Sequence, residues 1–276
     1  MKKNIKILFI GDVVGQLGQA VFQKHIDRIK KQYDIDGIIV NGENSHSLGR
    51  GITPRIVNFF KHNGVNVITS GNHIWARKEI IPYLTQHTDL LRPANFPSSC
   101  PGVGVTTFNC AGIVVGIINL QGRIFMKEYV DCPFRTADTH LTYLKSKTDI
   151  ILVDFHAEAS SEKIGIALYL DGRVSAVVGT HTHVQTADER VLPKGTAFIT
   201  DLGMSGALNS MIGMKKDSVL PNFLTQMPSK FEVDIVPPAL LSGAVIEIDS
   251  DSGKSLNIQR IRIIDENIHV DSAISD

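Results

Sequence analysis

The run IKILFIGD, residues 5–12, decides the fold of this chain. Its hydrophobic residues are nearly continuous rather than alternating, which is typical of a strand that is buried on both faces of a sheet. The run then ends in Gly11 and the acidic residue Asp12. In open α/β sheets, ligands bind at the carboxyl ends of such strands. This stretch therefore predicts a buried strand and a ligand-binding site at the edge of the sheet where that strand ends.

Further runs of strand length, rich in Val and Ile, are spread along the chain. They are residues 37–40, 65–69, 113–120, 149–155, 174–178, 197–200, 244–248 and 258–264. The last two alternate between apolar and polar residues, which favours antiparallel strands with one face in solvent. Amphipathic stretches from about Gly18 to Tyr33 and after Thr53-Pro54 predict helices between the early strands. The pattern therefore predicts an α/β sandwich.

Composition limits the organisation of the protein and its partners. The 276 residues favour a single domain, 1–276, within which the aperiodic segment 203–238 is interpreted as a cap or lid. Lys+Arg 28 and Asp+Glu 28 balance to zero, so no global basic field attracts extended nucleic acid or an anionic membrane. No apolar stretch approaches the ~20 residues of a membrane span. The three cysteines lack CxxC spacing, and we expect a cytoplasmic protein.

Polar clusters follow several of the predicted buried strands. They are Asp12, Glu43-Asn44, Asn72-His73, His156 and His181-Thr182-His183. Apart from the pair His181 and His183, which is a stronger signal, each cluster alone is compatible with a turn, a helix cap or a hydrogen-bonded core histidine. Because the carboxyl ends of parallel strands meet at one edge, the clusters are expected to converge there. Their joint occurrence favours a ligand site.

The chemistry of these side chains predicts a metal site. If residues 181–183 are extended, the side chains of His181 and His183 point to the same side, ~6.5 Å apart at the strand rise. That spacing suits two ions ~3.5–4 Å apart, each with one imidazole ligand. Oxygen and imidazole ligands without cysteine are compatible with Mn, Fe or Zn.

The order of these motifs resembles the calcineurin-like metallophosphoesterases. Their usual pattern is DxH, GDxxD, GNH, H and GHxH. This chain lacks the DxH histidine after Asp12 and has Glu43-Asn44 at the second block, as in the YmdB-type bacterial phosphodiesterase branch. The similarity covers almost the whole chain. It implies a four-layer αββα sandwich of two mixed β-sheets flanked by helices, with a small cap segment.

The resemblance also implies a role for each cluster. Two metal ions would be bound per chain, Mn or Fe, with Zn or Mg as alternatives. Asp12, Asn44 and His183 would bind the first ion; Asn72, His156 and His181 would bind the second. Glu43 would bridge the two ions. His73 would be the catalytic acid that protonates the leaving oxygen.

The implied activity is hydrolysis of small phosphodiesters by attack of a metal-bridging hydroxide. The expected substrates are 2′,3′-cyclic nucleotides or short RNA ends. A phosphomonoesterase on the same site, or a regulatory RNA- or protein-binding module with little turnover, are the alternatives. A homo-oligomer is compatible with the sequence. Substrate-binding residues stay open, although Arg50, Arg77, Arg123 and Trp75 lie near the motifs in sequence, and His46 lies close to Glu43.

Overall fold

The computed structural model describes residues 3–270, so the first two and last six residues of the predicted domain lie outside the described residues. The strands are β1 Asn4–Ile10, β2 Asp12–Val13, β3 Gly37–Asn41, β4 Val67–Thr69, β5 Val105–Cys110, β6 Ile113–Gln121, β7 Ile151–His156, β8 Ala176–Thr180, β9 Arg190–Val191, β10 Ala197–Ile199, β11 Met204–Ala207, β12 Ala239–Asp249 and β13 Ser255–Asp265. The helices are α1 Gly15–Tyr33, α2 Pro54–His62, α3 Ile80–Gln86, α4 Pro133–Lys145, α5 Ser160–Leu170 and α6 Lys216–Thr225.

Both sheets are mixed. The first has the order β2-β11-β12-β1-β3-β4, with β13 paired to β12. Within it, β1 is parallel to β3 and antiparallel to β12. The second has the order β5-β6-β7-β8-β10-β9, and its central strands β6, β7, β8 and β10 are parallel. The carboxyl ends of β1, β3 and β4 in one sheet, and of β7 and β8 in the other, carry the predicted clusters.

The two sheets pack face to face, with helices on both outer faces. Strand β1 is apolar throughout because both of its faces are buried. Ile7 and Phe9 pack in the core between the sheets, whereas Leu8 and Ile10 pack toward α1 and α2. A third core joins the second sheet to α4 and α5. The predicted four-layer αββα sandwich is confirmed.

Every run predicted as a strand overlaps a strand of the structure, with differences of one or two residues at some ends, and both predicted helices are present. Thr53 caps α2 by accepting a hydrogen bond from the Ile56 amide, with Pro54 in the first turn, as the local sequence predicts. The sequence interpretation did not identify β2, β5, β9, β11 or helices α3 to α6. Strands β2 and β9 have only two residues each, too short to show a period.

The segment 203–238 is divided between two roles. Residues 204–207 form β11, which pairs with β2 and β12 in the first sheet. Residues 211–233 lie over the carboxyl edge of the sheets, where Val233 packs in a small core with Val14 and Met204. Whether this part moves as a lid stays a prediction. Within residues 3–270, no helix is long and apolar enough to cross a membrane.

Candidate metal centre

The predicted clusters meet at one edge of the sandwich. Asp12 lies on β2, immediately after β1, and Glu43 follows β3. His156 is the last residue of β7, and its Nε2 atom lies 3.0 Å from Glu43 Oε1 although the two residues belong to different sheets. Both side chains are buried, with exposed fractions of 0% and 1%. The clusters therefore meet at one edge as the strand-end pattern predicted, and the structure adds that they come from both sheets.

Four ligand-type atoms lie close together beside β7. His156 Nε2 lies 3.0 Å from Glu43 Oε1 and 3.0 Å from His181 Nδ1. Asn72 Oδ1 lies 3.3 Å from the same His156 nitrogen. Glu43, His156 and His181 thus form a group that could hold a metal ion. We call these three residues together with Asn72 the second metal cluster.

Hydrogen bonds on the outer side of each ring fix where its proton lies. Thr180 Oγ1 donates to Asp154 Oδ1 at 2.8 Å, so it accepts from His156 Nδ1 at 3.0 Å. His181 Nε2 lies 3.2 Å from Glu158 Oε2, which can only accept from it. The protons are therefore on the outer nitrogens, and two nitrogen lone pairs face each other across 3.0 Å. A cation between them removes this repulsion, so the donor set fits a metal ion.

Asp12, Asn44 and His183, the residues predicted to bind the first ion, also lie close together, and we call them the first metal cluster. His183 Nδ1 donates to the Ile212 carbonyl at 2.9 Å, which leaves Nε2 facing Asp12 Oδ1 at 3.8 Å. Asn44 Nδ2 lies 3.2 Å from that His183 nitrogen, 3.5 Å from Asp12 Oδ1 and 3.4 Å from Glu43 Oε1. One amide nitrogen thus faces three acceptor atoms. A cation would satisfy the same three atoms, and a half-turn of the amide would present Oδ1 as a ligand beside it.

Burial sets the protonation of the site. Burial lowers the pKa of His156 to about 4 and that of His181 to about 3. Both rings are therefore neutral near pH 7, which is the form that binds metals. Burial raises the pKa of Asp12, against the opposing effect of His183 and His156. Burial also lowers the pKa of His73, where Glu43 acts in the opposite direction and Arg50 in the same direction.

His73 lies at the wall of the cleft between the two clusters. Its backbone amide donates to Glu43 Oε2 at 2.9 Å, and its Nδ1 lies 2.8 Å from Asn44 Oδ1. Its side chain is 28% exposed, more than those of Glu43 and His156. Within residues 3–270, no hydrogen-bond partner is present for its Nε2 atom. A partly exposed imidazole beside the two clusters is well placed to contact a substrate.

The extended geometry expected for residues 181–183 is wrong. Strand β8 ends at Thr180, and His181 and His183 have φ angles of 99° and 65°, in the left-handed region. Buried Asp201 holds this turn, because its Oδ2 accepts from the Thr182 amide at 3.1 Å and pairs with Lys163 Nζ at 2.7 Å. Sequence reasoning assigned no role to Asp201 or Lys163, since neither lies next to residues 181–183 along the chain.

A cavity of about 480 Å³ opens over the clusters. Its floor is polar and includes Glu43, Asn44, His73, His181 and His183. Its opposite wall is apolar and belongs to residues 211–233, which we call the covering segment. The side chains that form this wall are Met211, Ile212, Met214, Val219, Phe223 and Phe231. This wall was not identified from sequence, because 203–238 has no helical or strand period along its whole length.

The other candidates from the sequence have separate positions. Arg50 lines the cavity, but Arg77 instead donates its Nε to the Arg50 carbonyl at 3.1 Å. Trp75 packs edge-on against Phe96, with ring centroids 4.9 Å apart. His46 is buried and its Nδ1 accepts from the Leu48 amide. Of the arginines considered, Arg50 is therefore the one that reaches the site.

The fold is that of the metallophosphoesterases. Solved structures agree: an NAD nucleotidase of Haemophilus influenzae shares the fold, with a TM-score of 0.58 at 15% identity, over 95% of this chain and 56% of that one. A phosphatase of Mycoplasma pneumoniae superposes with a TM-score of 0.90 at 35% identity, over 96% of this chain and 95% of that one.

The sequence comparisons define the family. The model of the YmdB-like protein family matches residues 8–261. The 2′,3′-cyclic-nucleotide 2′-phosphodiesterase of Bacillus subtilis is 44% identical over 264 residues, which are 96% of this chain and 99% of that protein. The chain belongs to the YmdB-like protein family. This confirms the resemblance inferred from its motifs.

Proposed function

We propose that this protein is a metal-dependent phosphodiesterase that hydrolyses 2′,3′-cyclic nucleotides in the cytoplasm. One observation carries the proposal: the lone pairs of His156 and His181 face each other beside Glu43, an arrangement that a metal ion makes favourable. The relationship to the Bacillus subtilis enzyme supports the substrate class. The protein is thus a phosphoric ester hydrolase rather than a binding module.

The metal ligands proposed are those inferred from the motifs. Asp12, Asn44 and His183 would hold one ion. Asn72, His156 and His181 would hold the other, with Glu43 between them. The mixture of oxygen and imidazole ligands suits Mn or Fe. When bound, such ions lower the pKa of water and neutralise charge on a phosphoryl group.

His73 is proposed as the general acid. With Asn44 turned so that Oδ1 is the ligand, Nδ2 donates to His73 Nδ1 at the 2.8 Å contact. The ring then carries its proton on Nε2, the nitrogen without a partner in the described chain. That proton can pass to the leaving oxygen of the ester, which is the role that imidazole serves near neutral pH.

The test separates metal binding from acid catalysis. His73→Ala should keep the metal content of the wild type while lowering kcat by about 100-fold or more, whereas Glu43→Gln should lose metal. His269→Ala is the matched control, because His269 is exposed and does not line the cavity. Metal content is measured by elemental analysis and turnover on 2′,3′-cyclic AMP, 3′,5′-cyclic AMP and a phosphomonoester. If the monoester were the best substrate, or if His73→Ala lost its metal, the corresponding assignment would be wrong.

A further inference from the structure

A second cavity adjoins the one above the metal clusters. It has a volume of about 630 Å³ and shares Arg50, Met214 and Phe231 with the first cavity. Because the same three side chains line both, the two cavities are direct neighbours, and we call the two together the groove. The groove extends from the metal clusters, which line the first cavity, to Lys230 in the second. We call its outer part the second cavity throughout.

The second cavity carries local positive charge although the whole chain is neutral. Arg50, Lys215 and Lys230 line it, with Glu232 as the one carboxylate among its lining residues. Lys215 Nζ pairs with Glu232 at 3.0 Å, so this pair is locally balanced. Within residues 3–270, neither Arg50 nor Lys230 forms a salt bridge. Three cations against one carboxylate leave a net positive charge beside the phosphodiesterase site, and this charge favours an anionic group of the substrate.

Aromatic rings line the same groove. Phe231 lies at the boundary of the two cavities and is 41% exposed, and Phe223 in the first cavity is 59% exposed. Neither ring stacks on another aromatic ring of the described chain. Exposed rings between cationic side chains are typical of surfaces that bind single-stranded nucleic acid, because every base can stack on them.

The two walls of the groove are packed together. Gly49 has a φ of 70°, and a Cβ there would lie 2.7 Å from both Met214 and Val233. Arg77 Nε donates to the Arg50 carbonyl at 3.1 Å and so fixes the backbone that carries Arg50. The loop that bears Arg50 is therefore held against the covering segment that bears Phe231, which preforms the junction between the two cavities.

We infer that the substrate is the 3′ end of an RNA chain that terminates in a 2′,3′-cyclic phosphate. The inference rests on the proposed function and names its substrate. The terminal nucleoside occupies the first cavity, and the penultimate nucleotide occupies the second. Arg50 and Lys230 contact the phosphodiester that joins the two nucleotides. A volume of about 630 Å³ is in the range of pockets that hold one such ligand.

The reaction balances without any co-reactant other than water. Water adds across the P–O2′ bond, phosphorus gains the hydroxyl oxygen, and O2′ leaves with a proton. The RNA then ends in a 3′-phosphate and a free 2′-hydroxyl. Substrates of this kind arise when the 2′-hydroxyl of an RNA chain attacks the neighbouring phosphodiester and cleaves it. A reaction of that class must therefore supply this enzyme.

The test compares 2′,3′-cyclic AMP with the dinucleotide ApA that carries a 2′,3′-cyclic phosphate. The metal-loaded wild type should show a kcat/KM about 10-fold higher for the dinucleotide, as one added stacking contact would give. Lys230→Ala should reduce the ratio of the two kcat/KM values about 3- to 10-fold. Lys216→Ala is the matched control and should keep the wild-type ratio, because Lys216 lies on the same segment but lines neither cavity.

Equilibrium binding tests the second cavity independently of turnover. The probes are 3′-AMP and the dinucleotide ApAp, titrated by calorimetry into the wild type and both lysine variants. ApAp should bind about 10-fold more tightly to the wild type, and Lys230→Ala should lose most of that advantage. Equal affinities, or a ratio unaffected by Lys230→Ala, would overturn the inference. If ApAp binds as expected but neither cyclic ester is hydrolysed, the proposed function fails while the nucleotide site stands.

Discussion

Gly71 is the residue whose replacement tests the geometry of the second metal cluster most directly. A Cβ at this position would overlap the Cγ, Cδ2 and Nε2 atoms of His156, well inside van der Waals contact. Carbon atoms pack at about 3.5 Å, so the His156 ring would have to move by about 1 Å. It has little room to do so, since it is fully buried and bound to Thr180 on its other side.

The expected magnitude follows from that displacement. A shift of about 1 Å at a reacting centre costs about 100-fold in rate, and overpacking a buried site costs about 1–3 kcal/mol of folding free energy. Gly71→Ala should therefore bind less metal and lose about 100-fold in kcat/KM while the protein still folds.

Gly165→Ala is the matched control for this substitution. Gly165 lies inside α5, and a Cβ there would meet Phe134 Cζ at an ordinary 3.8 Å. Metal content by elemental analysis, kcat/KM on 2′,3′-cyclic AMP and unfolding in urea are measured for both variants. If Gly71→Ala kept its full metal content and a rate within about 3-fold of Gly165→Ala, the placement of His156 against Gly71 would be refuted.

Two further predictions concern ion pairs outside the metal clusters. Lys163→Met should lower the free energy of unfolding by about 3–5 kcal/mol, because it leaves Asp201 buried without its cation; in urea unfolding, Lys163→Met combined with Asp201→Asn should recover part of this loss, and no recovery would contradict the ion-pair explanation. Burial opposes the low pKa of Asp265, but hydrogen bonds from Lys24 and His25 outweigh it and lower the pKa from 3.8 to about 2. A carboxyl with a lowered pKa stabilises the fold above its unfolded pKa and loses that effect as the pH falls, so Asp265→Asn should cost about 1 kcal/mol at pH 7, because solvent screens this ion pair. The difference from the wild type should shrink between about pH 4 and pH 2, and a difference independent of pH would exclude this linkage.

The residues predicted from sequence share one property: each lies at the carboxyl end of a strand or in the few residues that follow it. Gly11-Asp12 follows β1, Gly42-Glu43 follows β3, and His156 ends β7. A run of apolar residues is a local signal, and the polar residue at its end is local as well. The topology then brings these ends together because parallel strands place their carboxyl ends on the same edge of a sheet.

The residues missed by sequence reasoning act through contacts between distant parts of the chain. Glu158 orients His181, and Asp201 with Lys163 holds the turn that carries both His181 and His183. Nothing in the spacing of Lys163 and Asp201 marks them as partners, since 38 residues separate them. The apolar wall of the cleft was also missed, because its members come from bridges and turns as well as from α6.

The acidic side chains of the metal clusters are buried, and their negative charge bears on how the net charge of the protein is interpreted. Asp12 and Glu43 are 0% and 1% exposed, and the facing rings of His156 and His181 are neutral near pH 7. The buried cation Lys163 is already paired with Asp201. An uncompensated carboxylate is costly to remove from water, so the ligand set requires positive charge that the side chains do not supply. The net charge of zero counts only the side chains. It does not include the metal ions, whose positive charge would attract an anionic phosphodiester to this edge of the sheets.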